Sequence, residues 1–245
     1  MNELVRVLQT HRSIRKFKPD PVTDEQLMAM LQAAQMASTS SNVQAYSVIR
    51  VTDPATRSAI KAVTGGQEHV ELAPLFLVWC ADLYRDQVAC EMNGAEMVSE
   101  GMENFMISTI DTALAAQNAA VAAEAMGLGI VYIGGIRNNL RVVTELLQLP
   151  QLVYPVFGMC IGVPDQEPSM RPRLGPSAVL HENVYQRDGI EAGVQEYDER
   201  TREYYLHRTG GKKDTTWSQE MVNKFRQKSR AYMKEFLEEQ GFRLT

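Results

Sequence analysis

The chain has 245 residues, of which 44% are hydrophobic and 22% charged, and its formal net charge is −5. This length and composition are typical of a globular protein with one full hydrophobic core and room for an extension. The acidic balance argues against a general nucleic-acid-binding protein, which would carry a basic surface. No run of about 20 uncharged apolar residues occurs, so no membrane span is predicted.

The cysteines bear on the redox compartment. Cys80, Cys90 and Cys160 are widely spaced and form no CxxC pair, so we predict neither a zinc ribbon nor a disulfide framework. Cys80 and Cys160 lie in apolar runs and are predicted to be buried thiols, which fits a reducing compartment. The N-terminal residues lack the apolar core of a signal peptide, so we expect a cytoplasmic protein.

The first part of the chain alternates predicted helices and strands. The elements are, in chain order, a helix at 4–8, a helix at 23–38, a strand at 45–53, a helix at 53–66 and a strand at 75–82. Thr23 and Gln26 have capping-box spacing at the start of the second helix. Asp53 is the predicted N-cap of the third, and Pro54 occupies its first position. The polar stretch 83–101 leaves open whether it holds a helix.

Residues 105–127 carry the clearest helical pattern. Their many alanines leave little side-chain bulk, so we expect this helix to pack on several sides, against a partner subunit as well as its own core. The remaining elements are a strand at 129–135, a helix capped near Asn138 or Asn139, a strand at 152–164, a proline-rich loop at 164–177 and charged helices at 191–208 and 217–241. This order predicts a sheet flanked by helices. The strandless tail is predicted to wrap around the core or a partner.

A basic segment, HRSIRKF at residues 11–17, stands out in this acidic chain. One interpretation is a solvated helix end, where cations meet the negative end of the helix dipole. The other is part of an anion pocket, because arginine presents a planar fork to phosphate or carboxylate oxygens. In extended backbone, alternate residues share one side, so His11, Ser13 and Arg15 would face the same ligand.

A second basic pair, Arg171 and Arg173, flanks Pro172. The proline fixes the backbone between the two arginines, and their alternation places both side chains on one face. They are either ordinary charges on a surface loop or a rigid pair of guanidinium forks suited to a phosphate group.

Three further segments have compositions that favour ligand contact. ASTSSNVQAY, residues 37–46, is either a capped turn or a hydrogen-bonding rim for a polyhydroxyl chain or a heteroaromatic ring. The two Gly-Gly stretches, GGQEH at 65–69 and YIGGIRNN at 132–139, allow a flat ligand to approach the backbone. The second follows a strand, where ligands often bind. Its spacing is not GxGxxG, which disfavours a Rossmann nucleotide site.

Other catalytic signatures are absent from the sequence. It contains no P-loop, no HExxH and no GxSxG motif. The four histidines are scattered, so no metal site is predicted, and no nucleophile has an evident base. We therefore assign no side chain as catalytic. If the protein is an enzyme, a cofactor should carry its chemistry.

Taken together, these segments resemble one family. HRSIRKF, ASTSSNVQAYS, GGQEHV, DTALAAQNAAVAAEAMGLG, VYIGGIRNN, RPRL, HENVYQ and DTTWS occur in the order seen in FMN-dependent NAD(P)H nitroreductases. The chain is similar to the larger branch, which contains oxygen-insensitive nitroreductases and NADPH-type flavin reductases of the Bacillus type. The resemblance implies an α+β fold with a central mixed or antiparallel sheet, an FMN-binding core at 1–180 and a helical C-terminal extension at 181–245. It also implies an entwined homodimer with two FMN sites at the subunit interface.

The same resemblance assigns roles to individual residues. His11, Arg12, Ser13 and Arg15 correspond to the block that binds the phosphate, ribityl chain and pyrimidine edge of FMN, with Arg15 beside the N1/O2 edge. The other implied FMN-binding residues are Ser38, Thr39, Ser40 and Ser41 across the dimer, Gln67 at the pyrimidine, Tyr132, Ile133, Gly134 and Gly135 near N5, and Arg171 and Arg173 at the phosphate. Relatives often have Lys at 171 and Pro after Leu174, where this chain has Gly175. Arg208 resembles the arginine that binds the 2′-phosphate of NADPH.

The implied activity is a two-electron, ping-pong hydride transfer from NADPH through FMN to small-molecule acceptors such as nitroaromatics, quinones or free flavin. Neither a nucleic acid nor a membrane is an expected partner. Two alternatives stay open, a non-enzymatic FMN carrier or redox sensor, and a relative that uses flavin for different chemistry. The physiological acceptor and the choice between NADPH and NADH are not settled by the sequence.

Overall fold

A computed structural model describes residues 2–226 and 229–244 of the chain. Its described helices are α1 (Glu3–Gln9), α2 (Asp24–Gln35), α3 (Pro54–Val63), α4 (Glu68–Leu72), α5 (Tyr84–Met92), α6 (Met102–Ala125), α7 (Leu140–Leu146), α8 (Ile190–Thr209), α9 (Trp217–Phe225) and α10 (Met233–Glu239). The strands are β1 (Tyr46–Arg50), β2 (Leu75–Asp82), β3 (Gly129–Ile133) and β4 (Val153–Gly162). Two compact units divide the chain, one of Met1–Pro168 with Arg230–Thr245 and one of Ser169–Ser229.

The first unit is built on a four-stranded sheet in the order β1-β2-β4-β3, and every neighbouring pair is antiparallel. Of the mixed and antiparallel forms expected from the sequence, the antiparallel one is present. β2 is buried along its whole length, as its continuous apolar run predicts. With helices on both faces, the unit is an α+β sandwich.

Each face of the sheet has its own hydrophobic core. On one face, α2 and α6 cover Leu77, Trp79 and Ile161. The buried residues of α6 in this core are Ala115, Ala116, Ala119, Ala120 and Ala123, each at most 1% exposed. Alanine lets the helix axis come close to the sheet, as predicted. On the other face, residues from α3, α4 and α7 pack on Phe76 and Val78.

Predicted helix caps are present where the sequence places them. The Thr23 hydroxyl accepts the Gln26 N–H, and the Gln26 side chain accepts the Thr23 N–H, which completes a capping box. Asp53 Oδ2 accepts the Thr56 N–H at 2.7 Å and caps α3. Such caps satisfy N–H groups that have no partner inside the helix.

Some elements differ from the prediction. The polar stretch 83–101 contains α5, the strand predicted at 129–135 ends at Ile133, and residues 134–138 form a 3-10 turn. α4 was not predicted, because five residues are too few to show a helical period. The helix predicted over 217–241 is two helices, because Arg230 between them has a φ of 54°, which α-helical backbone does not allow.

In the second unit, α8 and α9 pack side by side. Asp198 on α8 accepts the backbone N–H of Ser218 at 2.8 Å, at the start of α9. The rings of Tyr197 and Trp217 lie 5.7 Å apart. These contacts fix the first turn of α9 against the middle of α8.

Cys80, Cys90 and Cys160 are free thiols, and Cys80 and Cys160 are buried as predicted. Burial raises the pKa of Cys160 to about 12, so this thiol stays protonated and inert. None of the helices in the described ranges combines the length and the apolarity that a membrane crossing needs.

Candidate functional site

The basic segment lies along the edge of the sheet in extended form. Ser13 forms an isolated bridge to Ile130, and the Ile14 N–H donates to the Ile130 carbonyl at 2.9 Å. Ile14 is buried while Arg15 is exposed. Because side chains alternate in extended backbone, Ile14 anchors the segment in the core and its neighbours Ser13 and Arg15 point away from the core.

The polar side chains of this segment differ in their partners. His11 Nδ1 lies 2.6 Å from Glu124 of α6, and Arg12 pairs with Glu167 at 3.2 Å. The Nε of Arg12 is buried and has no hydrogen-bond partner among the described residues. Arg15 donates only a long bond, 3.5 Å, to the Ser13 carbonyl, and no described carboxylate pairs with it. Its guanidinium therefore keeps donors for a ligand.

The two Gly-Gly stretches meet at Gln67. The Gln67 Nε2 donates to the Thr64 carbonyl at 2.9 Å. A Cβ atom at Gly135 would lie 2.7 Å from Gln67 Nε2 and 3.0 Å from the Thr64 oxygen, so only glycine allows this approach. The residues 65–69 and 132–135, distant in sequence, are thereby in direct contact.

His69 lies next to this contact. Its Nε2 lies 3.1 Å from the Gln67 Oε1. Because the Gln67 amide nitrogen already donates to Thr64, its oxygen is the acceptor, and His69 Nε2 donates. Burial, and then the positive charge of Arg15, lower the pKa of His69. The positive charge of Arg15 is therefore felt at His69, next to the contact between the two Gly-Gly stretches.

This pKa shift predicts a pH effect on stability. In the folded protein His69 binds a proton less readily than its ordinary pKa of 6.5 implies, whereas the unfolded chain protonates normally. Stability therefore falls as the pH drops through about 6.5. In the His69→Gln variant, the part of this loss of stability that is due to His69 should disappear. Melting temperatures at about pH 7.5 and 5.5 measure it, and equal losses in the two proteins would contradict the assignment.

The residues that follow β3 present mainly backbone. The Tyr132 ring packs edge-on against Phe157, with centroids 5.0 Å apart. Burial, and then the charge of Glu124, raise the pKa of Tyr132, so its hydroxyl stays protonated. Ile133 is buried, and Gly134 and Gly135 begin the 3-10 turn. The side chains of Tyr132 and Ile133 thus support this segment, and the glycine backbone is left for a ligand.

The serine-rich segment is a strained loop on α6. Ser38, Ser40 and Ser41 are exposed and Thr39 is half-buried. Asp111 of α6 accepts hydrogen bonds from the backbone of this loop. No hydrogen bond among the described residues joins the loop to the basic segment of the same chain.

The arginine pair and Arg208 lie in the second unit. Arg171 donates to the Tyr205 hydroxyl at 2.8 Å, and Arg173 donates to the Arg171 carbonyl at 2.9 Å. The Tyr197 hydroxyl donates to the Pro172 carbonyl at 2.9 Å, so α8 holds the backbone of this pair. Arg208, in the last turn of α8, donates to the Tyr204 hydroxyl at 3.1 Å. None of these three arginines forms an ion pair with a described carboxylate, and all three are exposed.

Sequence reasoning missed Asp111, His69 and Glu124. Asp111 did leave a signal, because it shares a helical face with the buried alanines, and a carboxylate at such a position needs a specific partner. His69 lies within the quoted GGQEH stretch but was given no role. Glu124 is the partner of His11 and holds its ring. No cluster of metal-ligating residues occurs in the described ranges.

Comparisons with known proteins cover the whole chain. The model of the nitroreductase family matches residues 8–163, and that of the nitroreductase family C-terminal domain matches residues 171–245. The chain is 46% identical to an FMN reductase (NADPH) of Bacillus subtilis, with 99% of each chain covered. It is 43% identical to an oxygen-insensitive NADPH nitroreductase of Salmonella typhimurium, again over 99% of each.

The fold agrees with a solved structure of this group. NfrA1 of B. megaterium superposes with a TM-score of 0.95 and 42% identity, over 98% of this chain and 99% of that one. Family models and full-length relatives well above 30% identity agree with the resemblance on which the sequence prediction was based. The chain belongs to the nitroreductase family of oxidoreductases.

Proposed function

We propose that this chain is an NADPH-dependent, FMN-containing oxidoreductase that reduces nitroaromatics, quinones or free flavin by two-electron ping-pong kinetics. The observation that carries the proposal is the contact of Gln67 with Gly135 at the end of β3. Residues 13–14 lie along the same strand, and Arg15 beside them has no described carboxylate partner. The names of the relatives, an FMN reductase (NADPH) and an NADPH nitroreductase, support the same conclusion.

The residues at this cluster fit the ring of FMN. The pyrimidine edge of a flavin offers carbonyl oxygens and ring nitrogens, and Arg15 and Gln67 both carry N–H donors. The flat ring needs backbone beside it, and we propose that the turn that begins at Gly134 and Gly135 supplies that backbone. We propose that Arg15 and Gln67 bind the pyrimidine edge and that residues 132–135 lie near N5.

A phosphate group fits the remaining cations. Arg171 and Arg173 are exposed, lack described carboxylate partners and are held by hydrogen bonds to α8. Charge-assisted bonds from guanidinium to phosphate are among the strongest hydrogen bonds in proteins. We propose that this pair binds the phosphate of FMN, and that His11, Arg12 and Ser13 contribute to binding the phosphate and ribityl chain of FMN. Ser38, Thr39, Ser40 and Ser41 would contact the FMN of the partner subunit.

FMN, when bound, supplies the two-electron redox chemistry. The role of Arg15 is electrostatic, because a fixed positive charge beside N1/O2 stabilises negative charge on the pyrimidine edge, most strongly where water is excluded. The role of Gln67 and residues 132–135 is to orient the ring. We assign no protein side chain as a catalytic acid or base.

We further propose that the chain forms a homodimer through α6. One side of this helix is buried on its own sheet, but the other carries large apolar side chains. Met102, Met106, Ile110 and Leu114 recur every four residues and are between 44% and 50% exposed. Such a ridge packs well against the same ridge of a second copy. The helical extension at 181–245 beside a core at 1–180 and a cytoplasmic location also stay predictions.

The first test is spectroscopic. Purified protein supplemented with FMN should be yellow after desalting, and NADPH added without oxygen should bleach it within the mixing time of a stopped-flow instrument. A protein that keeps FMN but bleaches slowly would be a carrier or sensor. A protein that stays colourless with FMN would contradict the proposal.

Arg208 gives a test of coenzyme choice. In Arg208→Ala we expect the KM for NADPH to rise about tenfold, because a charged hydrogen bond to the 2′-phosphate is lost, and the KM for NADH to stay unchanged. Arg202→Ala is the matched control, since Arg202 is exposed on the same helix but pairs with Asp214. If both coenzymes were affected equally, the 2′-phosphate role would be wrong.

A further inference from the structure

Helix α6 carries a buried carboxylate. Asp111 is 0% exposed, and no described cation forms an ion pair with it. Its two oxygens accept backbone N–H groups, Oδ1 from Ser40 at 3.1 Å and Oδ2 from Ala45 at 3.1 Å. Burying an unpaired carboxylate is costly unless hydrogen bonds satisfy it. Here the bonds all come from the two ends of one loop.

That loop is held in an unfavourable conformation. Ser41, Asn42 and Gln44 have φ values of 47°, 60° and 59°, in the left-handed region that favours glycine. Three such residues within four positions persist only when the surrounding structure fixes them. Bonds within the loop, such as Val43 N–H to the Ser40 carbonyl at 2.8 Å, shape the turn but do not attach it to the rest of the fold.

The attachment of the loop is unequal at its two ends. At the Ala45 end, the Ala45 carbonyl also accepts the Asp82 N–H at 3.1 Å, and Arg85 donates to the Gln44 carbonyl at 3.3 Å. At the Ser40 end, Asp111 is the one described hydrogen-bond partner outside the loop. Asp111 therefore fixes the position of the serine end of the loop. The preceding residue of the same helix, Ile110, belongs to the exposed apolar ridge.

We propose that Asp111 is a positioning residue, whose carboxylate holds the loop of residues 38–45 in the strained form that presents its serine and threonine groups to FMN. The inference rests on the proposed function, because it needs the loop to be part of the FMN site. It goes beyond that function by naming the buried group that orders the loop.

Asp111→Asn is the direct test. The amide is nearly isosteric, but its NH2 group faces one of the two N–H donors, so one bond is lost. We expect the amides of Ser40 and Ala45 to exchange hydrogen at least about tenfold faster in the FMN-free protein. The Kd for FMN, measured by quenching of flavin fluorescence, should rise about tenfold.

Thr112→Val is the matched control. Thr112 is the next residue on α6, is equally buried and donates to the Ser108 carbonyl at 2.7 Å, but it forms no described hydrogen bond with the loop. Its replacement should lower the melting temperature yet leave the FMN affinity within about twofold. Adding Gln44→Gly to Asp111→Asn should recover about fivefold in affinity, because glycine adopts the left-handed conformation without strain. A general loss of stability would not be rescued in this way.

The outcomes separate the inference from the proposed function. If Asp111→Asn keeps wild-type amide protection and FMN affinity, the positioning role is overturned. If wild-type protein does not bind FMN, the proposed function fails, and faster exchange in the variant then shows a purely structural anchor. If the variant does not fold, hydrogen exchange in the wild-type protein tests the positioning role instead. Ser40 and Ala45 must be protected, and free exchange at both would overturn the role.

Discussion

Arg173→Ala should bind FMN about 10 to 100 times more weakly than the wild-type chain and bind riboflavin equally well. Arg173 is proposed to contact the phosphate, which riboflavin lacks, and its guanidinium is exposed without a described carboxylate partner. The measurement is the quenching of flavin fluorescence on titration with FMN-free protein, with FMN and riboflavin run in parallel.

Two comparisons sharpen this result. Arg15→Ala should weaken FMN and riboflavin by the same factor, because both carry the same pyrimidine edge. Arg202→Ala, on the exposed side of α8 and paired with Asp214, should change neither. If Arg173→Ala weakened riboflavin as much as FMN, the phosphate role would be wrong. If Arg15→Ala weakened only FMN, Arg15 would belong to the phosphate and not to the ring.

A double change on α6, Met106→Asp with Leu114→Asp, should convert the dimer to a monomer and abolish FMN retention. Both side chains lie on the exposed apolar ridge, 47% and 44% exposed. In a symmetric interface each change occurs twice, and burying an unpaired carboxylate costs several kcal/mol. We therefore expect the dimer dissociation constant to rise by at least about 100-fold. Light scattering after gel filtration gives the mass, and absorbance gives the FMN content.

Met92→Asp serves as the control for this experiment. Met92 ends α5, is 81% exposed and does not lie on α6. It introduces the same charge on another surface and should leave the mass and the FMN content unchanged. A wild-type chain that is already monomeric yet retains FMN would contradict both the dimer and the placement of the serine loop at a partner's site.

The fold was largely predictable where local chemistry decides it. β2 was predicted at 75–82 and lies there, because a continuous apolar run suits a strand buried on both faces. Asp53 with Pro54 fixed the start of α3 in the same way. Prediction failed where tertiary contacts determine the conformation of the chain. The break between α9 and α10 includes Arg230, whose guanidinium donates to the Gly134 carbonyl at 3.1 Å, and no local pattern reveals such a contact.

The candidate site shows the same division. Residue type alone indicated Arg15, Gln67 and Gly135 as candidate ligand-binding residues, because cations, amides and glycines suit an anionic, flat ligand. That Gly135 must be glycine because of Gln67 could not be predicted, because the contact joins segments far apart in sequence. Asp111 could be suspected from its position on the buried face of α6, but its partners could not be predicted, because they are backbone N–H groups of a distant loop.

The most direct test of the account is a crystal structure of this chain grown with FMN. We predict one FMN for each chain, with Arg15 beside the N1/O2 edge of its ring and Arg171 and Arg173 at its phosphate. A structure in which Arg15 and Arg173 contact different molecules, or in which both face solvent beside a bound FMN, would contradict it.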